Sequence, residues 1–213
     1  MEGNSKNRKL YITAILYIVS VYVFAPLFFY MNKNVGQDAA GLRVVSFALP
    51  FIFGLVNLVA VLVWARSTDR DTLLTCAVMV KYALIPFYIL GAISIALVFL
   101  LIFTPVVIMI FLGPAVIAIL CVLGWLILVM GSPYAIAYFI RSEHEGCLPK
   151  PVCALSCLLQ FIFTMDVFTM MFMSLKERKW RAVTIALLVI FALALMAVAC
   201  LVILIIVGAF NLK

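Results

Sequence analysis

The chain has 213 residues, 69% of them hydrophobic and 11% charged, with a formal net charge of +7. Soluble domains run at about 45–50% apolar and about 25% charged, so an ordinary soluble protein, a disordered chain, a collagen-like fibre and a nucleic-acid-binding domain are excluded. At a mean hydropathy of +1.33 the remaining class is all-α, a multi-pass transmembrane helical bundle. A membrane barrel would alternate apolar and polar residues over about ten positions, and these runs are continuous.

One crossing needs about 20 apolar residues, and the polar breaks divide the chain into about six spans with short loops, one integral membrane domain over 1–213. The first span, 10–31, follows Lys6, Arg8 and Lys9. It outruns the apolar core of a signal peptide, about 7–15 residues, so it reads as a retained span. A loop with Gly36, Asp38 and Gly41 leads to span two, 42–65, which contains Pro50. In the next loop Thr68 or Asp69 suits a helix N-cap and Asp71 a first turn.

The stretch 73–140 carries one charge, Lys81. Pro105, preceded by Thr104, is its best turn, giving span three at 73–103 and span four at 106–140. Both exceed the bilayer thickness and must tilt, kink or run into the interface. Pro86 kinks the third; Pro114 and the Gly131-Ser132-Pro133 step break or kink the fourth. Gly146 ends that helix, Pro151 suits the start of the next, and spans five and six follow at 152–174 and 182–210.

Orientation is weakly marked. With six spans and the amino terminus inside, the inner segments hold Lys6, Arg8, Lys9, Arg66, Arg70, Lys81, Arg141, Lys150 and Lys213. The outer ones hold Lys33, Arg43, Lys176, Arg178, Lys179 and Arg181. Seven spans would improve the positive-inside balance, but the length favours six.

Polar residues inside apolar runs are the informative ones. On span two, Ser46, Pro50, Gly54 and Asn57 share one helix face, a pattern that more often marks a close-packed seam than the wall of a polar cavity. On span five, Cys153, Ser156, Cys157, Gln160 and Thr164 lie within about 100° of helix surface, with Asp166 on an adjoining face. That face should turn inward, since an amide and a carboxyl are costly against lipid tails. Lys81 either snorkels to the interface, the plainer expectation, or meets Asp166, which its depth permits. Asp166, Lys81, Gln160, Asn57, Thr164 and Ser156 are therefore the candidates for a ligand or ion site. Lys176, Arg178, Lys179 and Arg181, beside Trp180, suit an anionic lipid surface or a partner protein.

The chemistry of catalysis is missing from the sequence. His144, the single histidine, stands between Glu143 and Glu145, and the six cysteines form no C-x-x-C. No zinc-site spacing, P-loop, G-x-S-x-G or H-E-x-x-H occurs. The expectation is no enzyme, no catalytic residue, no metal and no cofactor. Its surroundings are the lipid bilayer, with a membrane protein partner and a small-molecule ligand both open, and no nucleic acid.

Two functions fit. One is a small-solute transporter, or the substrate-capturing membrane subunit of a larger one, supported by the polar stripes, Asp166 and the helix-interrupting prolines. In size, helix number and basic amino terminus the chain is similar to the vitamin-capturing subunits of energy-coupling importers, although the first span has no clear A-x-x-x-A pair of the kind those proteins use for docking. The other is a non-transporting membrane interaction, assembly or immunity protein. Compactness suggests a bacterial cell membrane. A closed, partly polar cavity between spans two and five would favour the first function, and a dry, filled core the second.

Overall fold

A computed structural model describes residues 2–34, 40–104 and 107–211. The expected turns at Gly36, Asp38 and Pro105, and the terminal Lys213, lie outside them. Every regular element among the described residues is helical: α1 (Glu2–Asn34), α2 (Ala40–Trp64, extended by a short 3-10 turn), α3 (Arg70–Ile102), α4 (Val107–Met130), α5 (Pro133–His144), α6 (Lys150–Leu159), α7 (Met165–Lys176) and α8 (Arg181–Asn211).

Four helices are long and apolar enough to cross a membrane, over Asn7–Lys33, Gly41–Ser67, Arg70–Ile102 and Ile108–Met130. They fit an integral membrane protein. Two of the six expected spans are not continuous helices. Span four runs unbroken through Pro114, stops at Met130 and resumes as α5 after Gly131 and Ser132. Span five divides into α6, with 10 residues, and α7, with 12. At about 1.5 Å per residue each reaches roughly 15–18 Å, about half of a bilayer core of roughly 30 Å.

The chain forms two compact units, Met1–Met170 and Met171–Lys213. In the first, α1 buries Leu10, Ala14, Tyr17 and Val21, steps of four, three and four that line one face. Helices α1 and α2 make an antiparallel hairpin. Phe24 and Phe28 stack edgewise on Phe47, with ring centroids 6.3 and 6.1 Å apart, and the Lys9 ammonium lies 5.5 Å from the Trp64 ring. The predicted stripe on α2 is buried at Ser46, Pro50, Gly54 and Asn57. At Gly54 a Cβ would lie 2.7 Å from the Cβ of Met130 on α4. This is the close-packed seam, and only a residue without a side chain fits it.

On α3 the buried residues fall between Thr72 and Leu84. Beyond them Ile89, Leu90, Ile93, Leu97 and Phe99 are exposed, as a lipid-facing surface requires, since hydrocarbon solvates apolar side chains as well as a protein core does. The N-cap of α3 is Asp69, but its carboxylate makes no cap bond. It accepts a hydrogen bond from Asn7 Nδ2 at 3.3 Å instead. Glu145 meets Arg70 at 3.7 Å and Arg141 at 2.8 Å, and Arg141 Nη1 reaches the Arg66 carbonyl at 3.4 Å. These contacts gather the start of α1, the end of α2, the start of α3 and the end of α5 at one basic end.

The second unit contains the basic turn between α7 and α8. The Ser174 and Thr184 hydroxyls are hydrogen-bonded at 2.9 Å, both residues buried, and Ser174 also donates to the Lys179 carbonyl.

Candidate functional site at a buried lysine–aspartate pair

Lys81 and Asp166 are the only charged residues that the first unit buries completely among its described residues. Lys81 Nζ stands 2.8 Å from Asp166 Oδ2, with side-chain exposures of 0% and 1%. The lysine therefore does not snorkel. Its ammonium also donates to Ser132 Oγ at 3.0 Å. The single hydroxyl proton of Ser132 is shared between the carbonyls of Leu128, at 2.8 Å, and Gln160, at 3.2 Å.

Each of these partners sits where a helix is interrupted. Pro133 has no N–H to give the Val129 carbonyl, so that carbonyl takes the Ser132 N–H at 3.1 Å. The Leu128 carbonyl, which Ser132 N–H would otherwise satisfy, takes the Ser132 hydroxyl. The second interruption runs from Gln160 to Thr164, between α6 and α7. Two carbonyls of this stretch are claimed from outside: Gln160 by Ser132 and Phe161 by the Trp125 indole N–H at 3.1 Å. Asp166 then lies in the first turn of α7, where a helix dipole favours negative charge.

Several buried polar atoms here have no protein partner. They are Asp166 Oδ1, both amide atoms of Gln160, both amide atoms of Asn57 and the Tyr88 hydroxyl. The Tyr88 ring meets the Phe163 ring edgewise at 6.1 Å. Tyr17 donates to the Ile127 carbonyl at 2.6 Å, and its ring passes 3.4 Å from the Cβ position of Gly131.

Their depths agree. Lys81 stands 11 residues after Arg70, Gln160 10 after Lys150, Ser132 and Asn57 9 before Arg141 and Arg66, and Tyr17 9 after Arg8. At about 1.5 Å per residue this is roughly 14–17 Å from the basic end, about half of a hydrocarbon core of about 30 Å. A polar layer thus crosses the bundle near its midplane.

Residues 5–180 match a family model described as a family of unknown function, DUF6652. The chain belongs to this family. No curated protein and no solved structure matches it. The matched region contains the whole polar layer and stops just before α8.

Of the residues singled out from sequence, Asp166 and Lys81 form the pair. Gln160 joins them through its main chain, with its side chain buried. Asn57 is buried on the α2 seam, and the antiparallel hairpin, with Lys9 at Trp64 and Phe24 and Phe28 at Phe47, sets it opposite Tyr17. Ser156 is buried on α6, as Cys153 is. Thr164 departs from the expected stripe. It is exposed, with φ of 74°, because the helix that would have carried it inward has already ended. Lys176, Arg178, Lys179 and Arg181 fall in the turn of the second unit, where Arg178 and Trp180 are also left-handed, with φ of 57°. His144 is exposed. Ser132 and Tyr17 belong to the layer, and Trp125 and Tyr88 meet the Phe161 carbonyl and the Phe163 ring of the break beside it; none of the four is among the sequence candidates, and the Ser132-Pro133 step is the one sequence signal for any of them.

A β-branched residue in the left-handed region is strained. Thr164→Gly is expected to stabilise the protein by about 1 kcal/mol, read as a raised midpoint of unfolding in detergent, without disturbing Lys81 or Asp166.

Proposed function

We propose that this protein binds a small polar solute at the midplane layer, as a transporter or as the solute-capturing membrane subunit of one. The observation that carries the reading is a buried ion pair at the meeting of two interrupted helices, surrounded by polar atoms without partners. Ionisable residues inside a membrane segment are costly and mark ligand and ion pathways, and membrane solute sites are characteristically built from broken helices. In this reading α6 and α7 together form a fifth, interrupted crossing and α8 a sixth, in a cell membrane. The Lys81–Asp166 pair is already neutral, so a solute without net charge joins it at the least cost. Gln160 and Asp166 Oδ1 offer it one donor group and two acceptors. Lys176, Arg178, Lys179 and Arg181 serve as headgroup contacts, and no catalytic step is assigned.

The test is a panel of small neutral and zwitterionic solutes screened by thermal shift on the protein in nanodiscs, followed by uptake into proteoliposomes. A binding solute raises the melting temperature of the wild type, and Gln160→Met removes that rise while leaving the solute-free melting temperature within a few degrees. A panel without any shift, together with liposomes that accumulate nothing, overturns the reading. A second reading, a non-transporting interaction or assembly protein with a membrane protein partner, draws on the α2 seam. There Gly54 is packed against Met130, and the face that could have walled a cavity is filled.

A further inference from the structure

A groove of about 550 Å³ runs between the C-terminal end of α2 and α5. Its walls are apolar, with Leu58 and Leu62 on one side and Ile136 and Ile140 on the other, and Phe161 lies at its inner end. Its mouth carries Arg66, Arg141 and His144 and opens at the basic end of the bundle. From Arg141 to Pro133, both lining residues, α5 descends roughly 12 Å, which lies within one leaflet of about 15 Å.

We infer that this groove holds one acyl chain of an anionic phospholipid, with the lipid phosphate at Arg66. The apolar walls face the depth of the acyl chains, and the cationic mouth faces the depth of the headgroups. Arg141 has its Nε bonded to Glu145 and its Nη1 to the Arg66 carbonyl, so the headgroup charge falls mainly to the exposed Arg66, with His144 beside it. Arg8, Lys9, Arg70 and Lys150 belong to the same end of the bundle. With the amino terminus inside, this end faces the cytoplasmic leaflet, where anionic lipids gather. A zwitterionic lipid would fill the same walls but leave the arginine without its counter-charge. This site is separate from the solute site of the preceding section and does not depend on it.

The experiment titrates the detergent-solubilised protein with phosphatidylglycerol and phosphatidylcholine of matched chains and counts bound lipids by native mass spectrometry at low and high salt. Phosphatidylglycerol is expected to bind about fivefold more tightly, the worth of one basic residue at an anionic surface, and to lose that margin at high salt. Arg66→Gln should erase the preference and keep phosphatidylcholine binding. Ala137→Phe, which fills the groove, should weaken both lipids; Ile140→Trp, on the exposed rim, provides the same obstruction if the first variant folds poorly. Equal binding of the two lipids to the wild type, or unaltered binding by both filled variants, overturns the inference. A dimer mass that Ala137→Phe dissociates also overturns it, because the occupant is then a second copy of the chain.

Discussion

Lys81→Met is expected to destabilise the protein by about 3–5 kcal/mol, because it strands the buried Asp166 carboxylate without the cation that pairs it. Asp166→Asn is expected to cost less than that, since the lysine keeps Ser132 as a partner. The double variant Lys81→Met/Asp166→Asn should recover most of the loss, as exchanging a buried pair for neutral groups of similar size is often close to neutral. Denaturant unfolding of the four proteins in detergent gives the double-mutant cycle directly. A coupling below about 0.5 kcal/mol would mean that the two groups are not paired in the folded protein. The proposed solute site would then lose its central residues. Recovery in the double variant separates stability from function: it retains the fold, so a loss of solute binding there reports on the charges themselves.

The second large effect is expected at Gly54. An alanine there places its Cβ 2.7 Å from the Met130 Cβ, an atom fixed to the α4 backbone that no rotamer can move. Either the helices separate or the backbone strains, at about 1–3 kcal/mol. Met130→Ala does not relieve this, since alanine keeps the offending carbon; that failure to rescue distinguishes a backbone clash from a crowded side chain. Gly91 on α3 is the internal control. A Cβ there meets nothing within 4 Å, so Gly91→Ala should stabilise by about 0.5–1 kcal/mol. The same unfolding assay reads both, and equal effects at the two glycines would contradict the seam.

The helical class and the inward face of α2 were legible because both depend on spacing. Apolar runs set the spans, and Ser46, Pro50, Gly54 and Asn57 repeat at helical steps whatever surrounds them. The interruption at Gly131-Ser132-Pro133 was legible from its residues, because proline lacks the donor a helix needs. The interruption at Gln160–Thr164 was not. Gln160-Phe-Ile-Phe-Thr164 contains neither glycine nor proline, and a threonine is among the least suited residues for a left-handed turn. Support for the break lies elsewhere in the chain, in Trp125 and Ser132, which satisfy two of its carbonyls. Sequence separation hides such donors. For the same reason the depth match of Lys81 and Asp166 could be counted from the span ends, but the choice between snorkelling and pairing could not.

The pair has a consequence for how the protein is made. Lys81 and Asp166 are 85 residues apart in the chain. At about 5–20 residues per second of synthesis, the lysine waits roughly 4–17 seconds before its partner has been translated. During that interval α3 has to enter the bilayer with an uncompensated ammonium, held near the surface or shielded by the insertion machinery. Its final depth is reached only after α7 arrives. Nascent chains that stop before residue 166 thus carry a lysine that has to stay near the surface, because the carboxylate that would let it settle at its buried depth has not been made.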